Sequence, residues 1–193
     1  MRPMAEAAPP AIGYTGEEYF SLVDAGVLQP DDRVELLDGV IVAMSPHNPR
    51  HASAIARLNG VLNRIVGSRA VVRVQLPLIA GTRSIPEPDI SVVEGTFADY
   101  DRKHPATALL VVEVADASLA QDRLSKAAIY AAAGVPEYWL INLRDDCVEV
   151  LRRPDMASRR YVERRVAGMG DTIELLAFPA TPLRVEDLIP ARD

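Results

Sequence analysis

The chain has 193 residues, of which 49% are hydrophobic and 25% charged, the size and composition of one globular domain of about 100–200 residues. Its net charge of −6 argues against tight, non-specific binding to nucleic acid, because neutralising a phosphate backbone requires a basic surface. The single cysteine excludes an intramolecular disulfide, and no apolar run approaches the roughly 20 residues that span a bilayer, so we predict a cytoplasmic protein without a membrane segment.

The first half of the chain alternates short apolar runs with one long amphipathic segment. Residues 1–12 are rich in proline and lack an apolar centre, so we expect a disordered tail, followed by a single domain over residues 13–193. Thr15 with two glutamates behind it predicts a helix cap, and Asp38-Gly39 between two apolar runs predicts a β-hairpin. The elements predicted here are a helix over 15–26, hairpin strands over 34–37 and 40–44, a helix over 51–66, and strands over 71–78 and 90–93.

The second half begins with a strand that is apolar on both faces and ends in a meander. Residues 109–114 are apolar apart from one acid, which is typical of a strand buried in the middle of a sheet. Residues 118–133 are rich in alanine and are followed by Gly134 and Pro136, which predicts a helix. The remaining predicted elements are strands over 137–143, 148–152, 160–166 and 172–176 and a short helix over 185–188. The sequence therefore predicts a mixed α/β (α+β) domain with a central sheet and flanking helices.

Two carboxylates stand out against this apolar framework. Glu113 lies inside the buried strand, where an ionised carboxylate costs several kcal/mol unless a cation compensates it. Asp89 follows Pro88 and begins the predicted strand over 90–93, at the rim of the predicted sheet. Each alone has an ordinary structural explanation, a buried ion pair for Glu113 and a turn residue for Asp89. Together they offer hard oxygen ligands on adjacent strands, which is the first requirement of a Mg²⁺ or Mn²⁺ site.

Lys126 is the third candidate. Asp122, Lys126 and Tyr130 lie four residues apart, so they share one face of the predicted helix. A lysine at the edge of that helix can extend its side chain toward the end of the strand that carries Glu113. The alternative is an ordinary ion pair between Asp122 and Lys126 on a solvated face.

These residues, with the blocks around them, resemble a known family. The blocks are Pro88-Asp89, Val112-Glu113-Val114, the helix residues Asp122, Lys126 and Tyr130, and Gly134-Val135-Pro136-Glu137-Tyr138-Trp139-Leu140-Ile141, with Glu35 inside the hairpin block 34–41 and His51 upstream. The pattern resembles the Uma family of restriction endonucleases, a bacterial branch of the PD-(D/E)XK nuclease superfamily. The resemblance covers most of residues 15–150.

The resemblance implies a restriction-endonuclease-like core with a metal ion, Mg²⁺ or Mn²⁺, held by Asp89 and Glu113 at one rim of the sheet. The superfamily signature places a lysine two residues after the glutamate, but position 115 is alanine, and the resemblance assigns that role to Lys126. Glu35 is a further catalytic candidate, as an outer carboxylate of the metal site or else a solvent-facing strand residue. His51 is another, which could steer a phosphate or merely head its helix. Gln75 is a weaker candidate for a contact at the rim.

The predicted function is metal-dependent hydrolysis of phosphodiester bonds in DNA by an endonuclease. The segment before Asp89 favours an anionic substrate, because it carries Arg50, Arg57, Arg64, Arg69, Arg73 and Arg83. One alternative is a catalytically silent nucleic-acid-binding or protein-interaction module on the same fold, and another is a hydrolase of a small phosphate ester. A third is an assembly protein whose Tyr138-Trp139 strand pairs across a dimer, and we predict a homo-oligomer, a dimer.

Overall fold

Residues 13–29, 31–44, 46–116 and 122–192 are described by the computed structural model of the chain. The helices are α1 (Gly16–Asp24), α2 (Pro49–Val66), α3 (Ala127–Ala132) and α4 (Val185–Leu188). The strands are β1 (Val34–Leu37), β2 (Val40–Ala43), β3 (Val71–Val74), β4 (Ile90–Val93), β5 (Leu110–Ala115), β6 (Glu137–Asn142), β7 (Cys147–Asp155), β8 (Arg160–Gly168), β9 (Thr172–Leu175) and β10 (Phe178–Arg184). The predicted tail over 1–12 and the start of the predicted helix, 118–121, lie outside the described residues.

A six-stranded mixed sheet in the order β3-β4-β5-β6-β7-β8 forms the centre of the fold, which confirms the predicted fold class. Only β5 and β6 pair in parallel, and the chain between them includes a π-helical turn over Asp122–Lys126 and α3, the crossover that a parallel pair requires. Strand β6 is hydrogen-bonded to β5 on one side and to β7 on the other. The alternative in which the Tyr138-Trp139 strand pairs across a dimer is therefore wrong, because both edges of β6 are hydrogen-bonded within the chain.

Both faces of this sheet are covered by apolar side chains. Successive side chains of a strand point to opposite faces, so Val112 and Val114 pack toward α2, α4 and the β9–β10 hairpin. Val111 and Ala115 pack on the other face with α3. Glu113 lies between these two residues in β5 and therefore points to the α3 face, beneath the helix that follows the π-helical turn.

The β1–β2 hairpin turns at Asp38 and Gly39, whose φ angles are 48° and 87°. Positive φ at both central residues is the geometry of a type I′ turn, for which Asp-Gly is a preferred pair, so the predicted hairpin is confirmed. Leu36 in β1 exchanges backbone hydrogen bonds with Ile85, which attaches the hairpin to the segment that leads into β4. This attachment leaves Glu35 buried, with 3% of its surface exposed, rather than facing solvent.

The structure differs from the predicted strands at two places: one predicted strand ends early, and one strand was not predicted. The strand predicted over 71–78 ends at Val74, because Gln75 has a φ of 50° and turns its N–H toward the carbonyl groups of Pro88 and Asp89. Strand β10 is absent from the predictions, because Pro179 and Pro182 interrupt its pattern. Among the residues that the structure describes, no helix combines the length and apolar composition needed to cross a membrane.

Candidate active site

Asp89 and Glu113 lie side by side at one end of strands β4 and β5. Ile90 pairs with Val112, and continuing this antiparallel register by one residue sets Asp89 opposite Glu113. The backbone N–H of Asp89 lies 3.4 Å from Glu113 Oε2, and the N–H of Val114 donates to Asp89 Oδ2 at 2.8 Å. Both carboxylates are buried, with 6% and 3% of their residues' surface exposed. The sheet therefore brings together the two residues predicted to bind a metal ion.

Lys126 joins this pair from the π-helical turn, and its ammonium group is buried between two glutamates. Lys126 Nζ lies 3.1 Å from Glu113 Oε1 and 3.0 Å from Glu35 Oε1. Burial lowers the pKa of the ammonium group, but the charges of Glu113 and Glu35 outweigh burial and raise the pKa above its ordinary value. Lys126 is therefore protonated at neutral pH. The alternative of a solvated Asp122–Lys126 pair is wrong, because both residues are buried.

Tyr130 also holds the Glu113 carboxylate in place. Its hydroxyl group, one helical turn beyond Lys126 in the chain, donates to Glu113 Oε1 at 2.6 Å. Burial, followed by the charge of Glu113, raises the pKa of Tyr130 well above its usual value, so the phenol keeps its proton and acts as a donor. The pKa of Glu113 is also raised well above its usual value, first by burial and then by the neighbouring carboxylates Asp89, Asp122 and Glu35, against the lowering effect of Lys126.

His51 lies in the first turn of α2 and holds Asp89 from the other side. Its position follows from the helix cap, in which Asn48 accepts a hydrogen bond from the His51 N–H. His51 Nε2 lies 3.2 Å from Asp89 Oδ2 and 2.7 Å from the Val114 carbonyl oxygen. Burial raises the pKa of Asp89, but His51 and the Val114 N–H more than reverse this, so the pKa lies below its usual value. Burial lowers the pKa of His51, but Asp89, the Val114 carbonyl and Asp122 together raise it above its usual value.

His47 and Gln75 also reach Asp89, and the sequence analysis did not select His47. His47 Nε2 is 3.9 Å from Asp89 Oδ1, and Gln75 Nε2 is 3.3 Å from the same oxygen. The rings of His47 and His51 lie 4.2 Å apart, centroid to centroid. The spacing of four residues between these histidines was the available signal, but they belong to a loop and a helix, so it predicts no shared face.

The pocket around these residues carries more negative than positive charge. Its lining includes six carboxylates, one lysine and two histidines: Glu35, Glu87, Asp89, Glu113, Asp116, Asp122, Lys126, His47 and His51. Burial raises the pKa of Glu87, and the charge of Glu35 raises it further. Four of these six carboxylates are buried, and an excess of buried negative charge is compensated by protonation or by a cation. Oxygen donors on Asp89 and Glu113, with imidazole nitrogens beside them, are suited to a divalent metal ion.

The arginines predicted to attract an anionic substrate are largely occupied elsewhere. Arg50 donates hydrogen bonds to Asp146 and to the backbone carbonyls of Leu143 and Pro190, and Arg69 lies over a phenylalanine ring. Arg73 is buried beside a tyrosine ring. Arg57 and Arg64 are exposed on α2. The predicted basic segment is therefore not a continuous basic surface.

Comparison with known proteins agrees with this architecture. The sequence matches the model of the Uma2 family, described as "Putative restriction endonuclease", over residues 17–186. No curated protein matches the chain. The fold is similar to the crystal structure of a putative nuclease belonging to DUF820 from Anabaena variabilis ATCC 29413, with a TM-score of 0.73 and 19% sequence identity over 91% of this chain and 97% of that one. Because the family match spans most of the sequence, the chain belongs to the Uma2 family of putative restriction endonucleases.

Proposed function

We propose that the protein is a metal-dependent endonuclease that hydrolyses phosphodiester bonds in DNA. The observation that carries this proposal is the buried ammonium group of Lys126, which lies 3.1 Å from Glu113 beside Asp89 in a pocket dominated by carboxylates. An acid–acid–lysine set at the rim of a sheet combines cation ligands with a fixed positive charge. That combination is suited to a reaction in which negative charge develops on a phosphate.

In this proposal Asp89 and Glu113 hold Mg²⁺ or Mn²⁺. A divalent cation at this position supplies neutralisation of the scissile phosphate and a lowered pKa for the attacking water. Lys126 stabilises the charge that develops in the transition state, and its pre-formed position avoids reorganisation during the reaction. Glu35 and Tyr130 fix the Lys126 ammonium and the Glu113 carboxylate, respectively.

His51 acts as a positioning residue in this scheme. Its Nε2 bridges Asp89 and the Val114 carbonyl, so it fixes the rotamer of the Asp89 carboxylate without needing to touch the substrate. The expected effect of His51→Gln is weaker cation binding together with slower cleavage. A phosphate-steering role predicts instead an increase in KM for DNA at unchanged cation affinity.

The test is cleavage of supercoiled plasmid in the presence of Mg²⁺ or Mn²⁺. We expect the wild-type protein to nick or linearise the plasmid, and Asp89→Asn, Glu113→Gln and Lys126→Met each to lower the rate by about 100-fold or more, the usual scale for removal of one charge-stabilising group. Asp187→Asn is the matched control, because Asp187 is an exposed acid on α4. Cleavage that survives both Asp89→Asn and Glu113→Gln would show that this pocket is not the active site.

The same assay separates the nuclease from the alternatives. A folded protein that binds Mn²⁺ and DNA but cleaves neither plasmid nor single-stranded DNA would be a silent binding module. Cleavage of p-nitrophenyl phosphodiesters without cleavage of DNA would indicate a hydrolase of small esters. Parallel reactions with RNA test the choice of DNA as the substrate. The cytoplasmic location and the dimer remain predictions. Analytical sedimentation tests the dimer.

A further inference from the structure

His47 lines the pocket, and it lies outside the sequence blocks that resemble the family. We propose that His47 is a nitrogen ligand of the cation bound at Asp89, and that it makes this site prefer Mn²⁺ or Co²⁺ to Mg²⁺. The inference rests on the proposed metal site, and it does not depend on whether the substrate is DNA.

The geometry places His47 within bridging distance of Asp89. One ligand atom from each of His47, His51 and Asp89 lies within 4.8 Å of the others. His47 Nε2 and Asp89 Oδ1 are 3.9 Å apart. Two neighbouring donors at about 2.0–2.2 Å from an octahedral or tetrahedral metal ion are separated by about 2.8–3.6 Å. A cation can therefore bind between these two atoms after the side chains approach each other by about 0.3–1 Å and the Arg33 and Gln75 donors turn away.

The neighbours of His47 Nε2 show that this nitrogen carries a lone pair rather than a proton. Arg33 Nη2 and Gln75 Nε2 each lie 3.1 Å from His47 Nε2. Guanidinium and amide nitrogens only donate hydrogen bonds, so His47 Nε2 must accept and carries no proton. A neutral imidazole with an unprotonated Nε2 is the form that binds metal ions. Arg33 is exposed, so its side chain can turn into solvent when a cation replaces it.

His51 has the opposite surroundings, which distinguishes the two histidines. The atoms nearest His51 Nε2 are a carboxylate oxygen of Asp89 and the carbonyl oxygen of Val114. Both atoms only accept, so His51 Nε2 carries a proton and donates. His51 therefore orients Asp89 from behind, whereas His47 faces the other oxygen of the same carboxylate.

Gln75 links His47 to Asp89 through a strained backbone. Its φ of 50° is uncommon for a residue with a side chain, and it ends β3 at this point. The bend sets the Gln75 amide 3.1 Å from His47 Nε2 and 3.3 Å from Asp89 Oδ1. Strained backbone of this kind persists where surrounding contacts determine it, and here it sets an amide donor beside both proposed ligands, which a bound cation would displace.

A nitrogen ligand changes which cation the pocket favours. Mg²⁺ binds oxygen ligands and water in near-octahedral geometry, whereas imidazole is suited to transition metals. A site with Asp89, Glu113 and His47 therefore combines two hard oxygens with one softer nitrogen. Such a set gains affinity for Co²⁺ and Mn²⁺ without a matching gain for Mg²⁺.

The test uses titration calorimetry with Co²⁺, Mn²⁺ and Mg²⁺ and the visible absorption spectrum of bound Co²⁺, on the full-length protein. The chain has three histidines, so His104→Gln, at an exposed position on a loop, is the matched control for His47→Gln. We expect His47→Gln to weaken Co²⁺ and Mn²⁺ binding by about 10–100-fold and to leave Mg²⁺ binding within about twofold. The Co²⁺ bands should shift as nitrogen is replaced by oxygen. His104→Gln should change neither affinity nor spectrum.

A second variant guards against a misfolded protein. His47→Asp replaces the nitrogen donor with oxygen, and we expect it to fold, to bind Mg²⁺ at least as tightly as the wild type and to lose the preference for Co²⁺. Unchanged Co²⁺ affinity and spectrum in His47→Gln would overturn this inference while leaving Asp89 and Glu113 as ligands. If Asp89→Asn leaves Co²⁺ binding unchanged, the metal site of the proposed function fails, and this inference fails with it.

Discussion

Substituting methionine for Lys126 keeps a long unbranched side chain and removes one buried charge. The ammonium lies 3.0 Å from Glu35 Oε1 and 3.1 Å from Glu113 Oε1. At these distances each pair has about 5 kcal/mol of Coulomb attraction at an effective dielectric constant of about 20. The desolvation of three buried ions offsets most of this attraction. Removal of one partner from such a group typically costs about 3–5 kcal/mol, because it leaves the opposite charges uncompensated. We expect Lys126→Met to lose about 3–5 kcal/mol of unfolding free energy at pH 7.

Urea denaturation measures this loss, and Lys103, the other lysine of the chain, supplies the control. Lys103 is exposed, so Lys103→Met should change the unfolding free energy by less than about 0.5 kcal/mol. Without the ammonium, the folded-state pKa of Glu113 rises further above its unfolded value. Glu113 is protonated in both folded proteins until the pH reaches the raised folded-state pKa of the wild type. The difference in unfolding free energy therefore grows as the pH rises through that folded-state pKa and is smaller below it. A loss under about 1 kcal/mol at pH 7, or an equal loss at pH 4, would refute the view that a buried ion pair holds this site together.

Three further variants test the fold away from the pocket. Burial raises the pKa of Glu149, but hydrogen bonds from Arg123 and Arg164 lower it below its usual value, so its stabilising effect is present above the unfolded pKa and is lost as the pH falls through the folded pKa. Urea titrations from pH 7 to pH 3 should therefore show that the unfolding free energy falls less steeply with decreasing pH in Glu149→Gln than in the wild type. An unchanged dependence on pH would contradict this. Gly60→Ala should add about 0.5–1 kcal/mol of stability, because Gly60 is exposed in α2 and an added Cβ meets no atom within 4 Å. A lower Tm for this variant would count against that reasoning. Trp139→Ala should lower the unfolding free energy measured by chemical denaturation by about 3–5 kcal/mol, because Trp139 is fully buried in β6. A loss near zero would place Trp139 outside the core.

Local patterns predicted those parts of the fold that depend on local chemistry. Asp38-Gly39 predicted the hairpin because a type I′ turn requires positive φ at two adjacent residues, and few residue pairs tolerate it. The run around Glu113 predicted a central strand because an apolar sequence on both faces has no other stable place. The resemblance to the Uma family added the relation between Glu113 and Lys126, which lie 13 residues apart and meet at 3.1 Å.

Features that depend on contacts between distant segments were not predictable in the same way. Gln75 continues an alternating pattern, but its N–H bonds to carbonyls beyond the next loop and the strand stops. Pro179 and Pro182 argue against a strand, yet β10 tolerates them because it belongs to a two-stranded sheet with a register shift between Phe178 and Leu183. His47 meets Asp89 only because the loop before α2 crosses the end of β4, which no periodicity in the sequence encodes.

The acidic net charge, which argued against a nucleic-acid partner, has a different meaning once its location is known. Six carboxylates and one lysine line the pocket at the end of β4 and β5. Four of these carboxylates, Glu35, Asp89, Glu113 and Asp122, are buried, so part of the acidic excess lies inside the pocket rather than on the surface that would meet a phosphate backbone. Burial and neighbouring carboxylates raise the pKa of Glu113 and Glu87, which is the direction expected where buried negative charge is only partly compensated. A divalent cation would compensate them and would present positive charge to an approaching phosphate. The net charge of −6 is thus compatible with a metal-dependent nuclease.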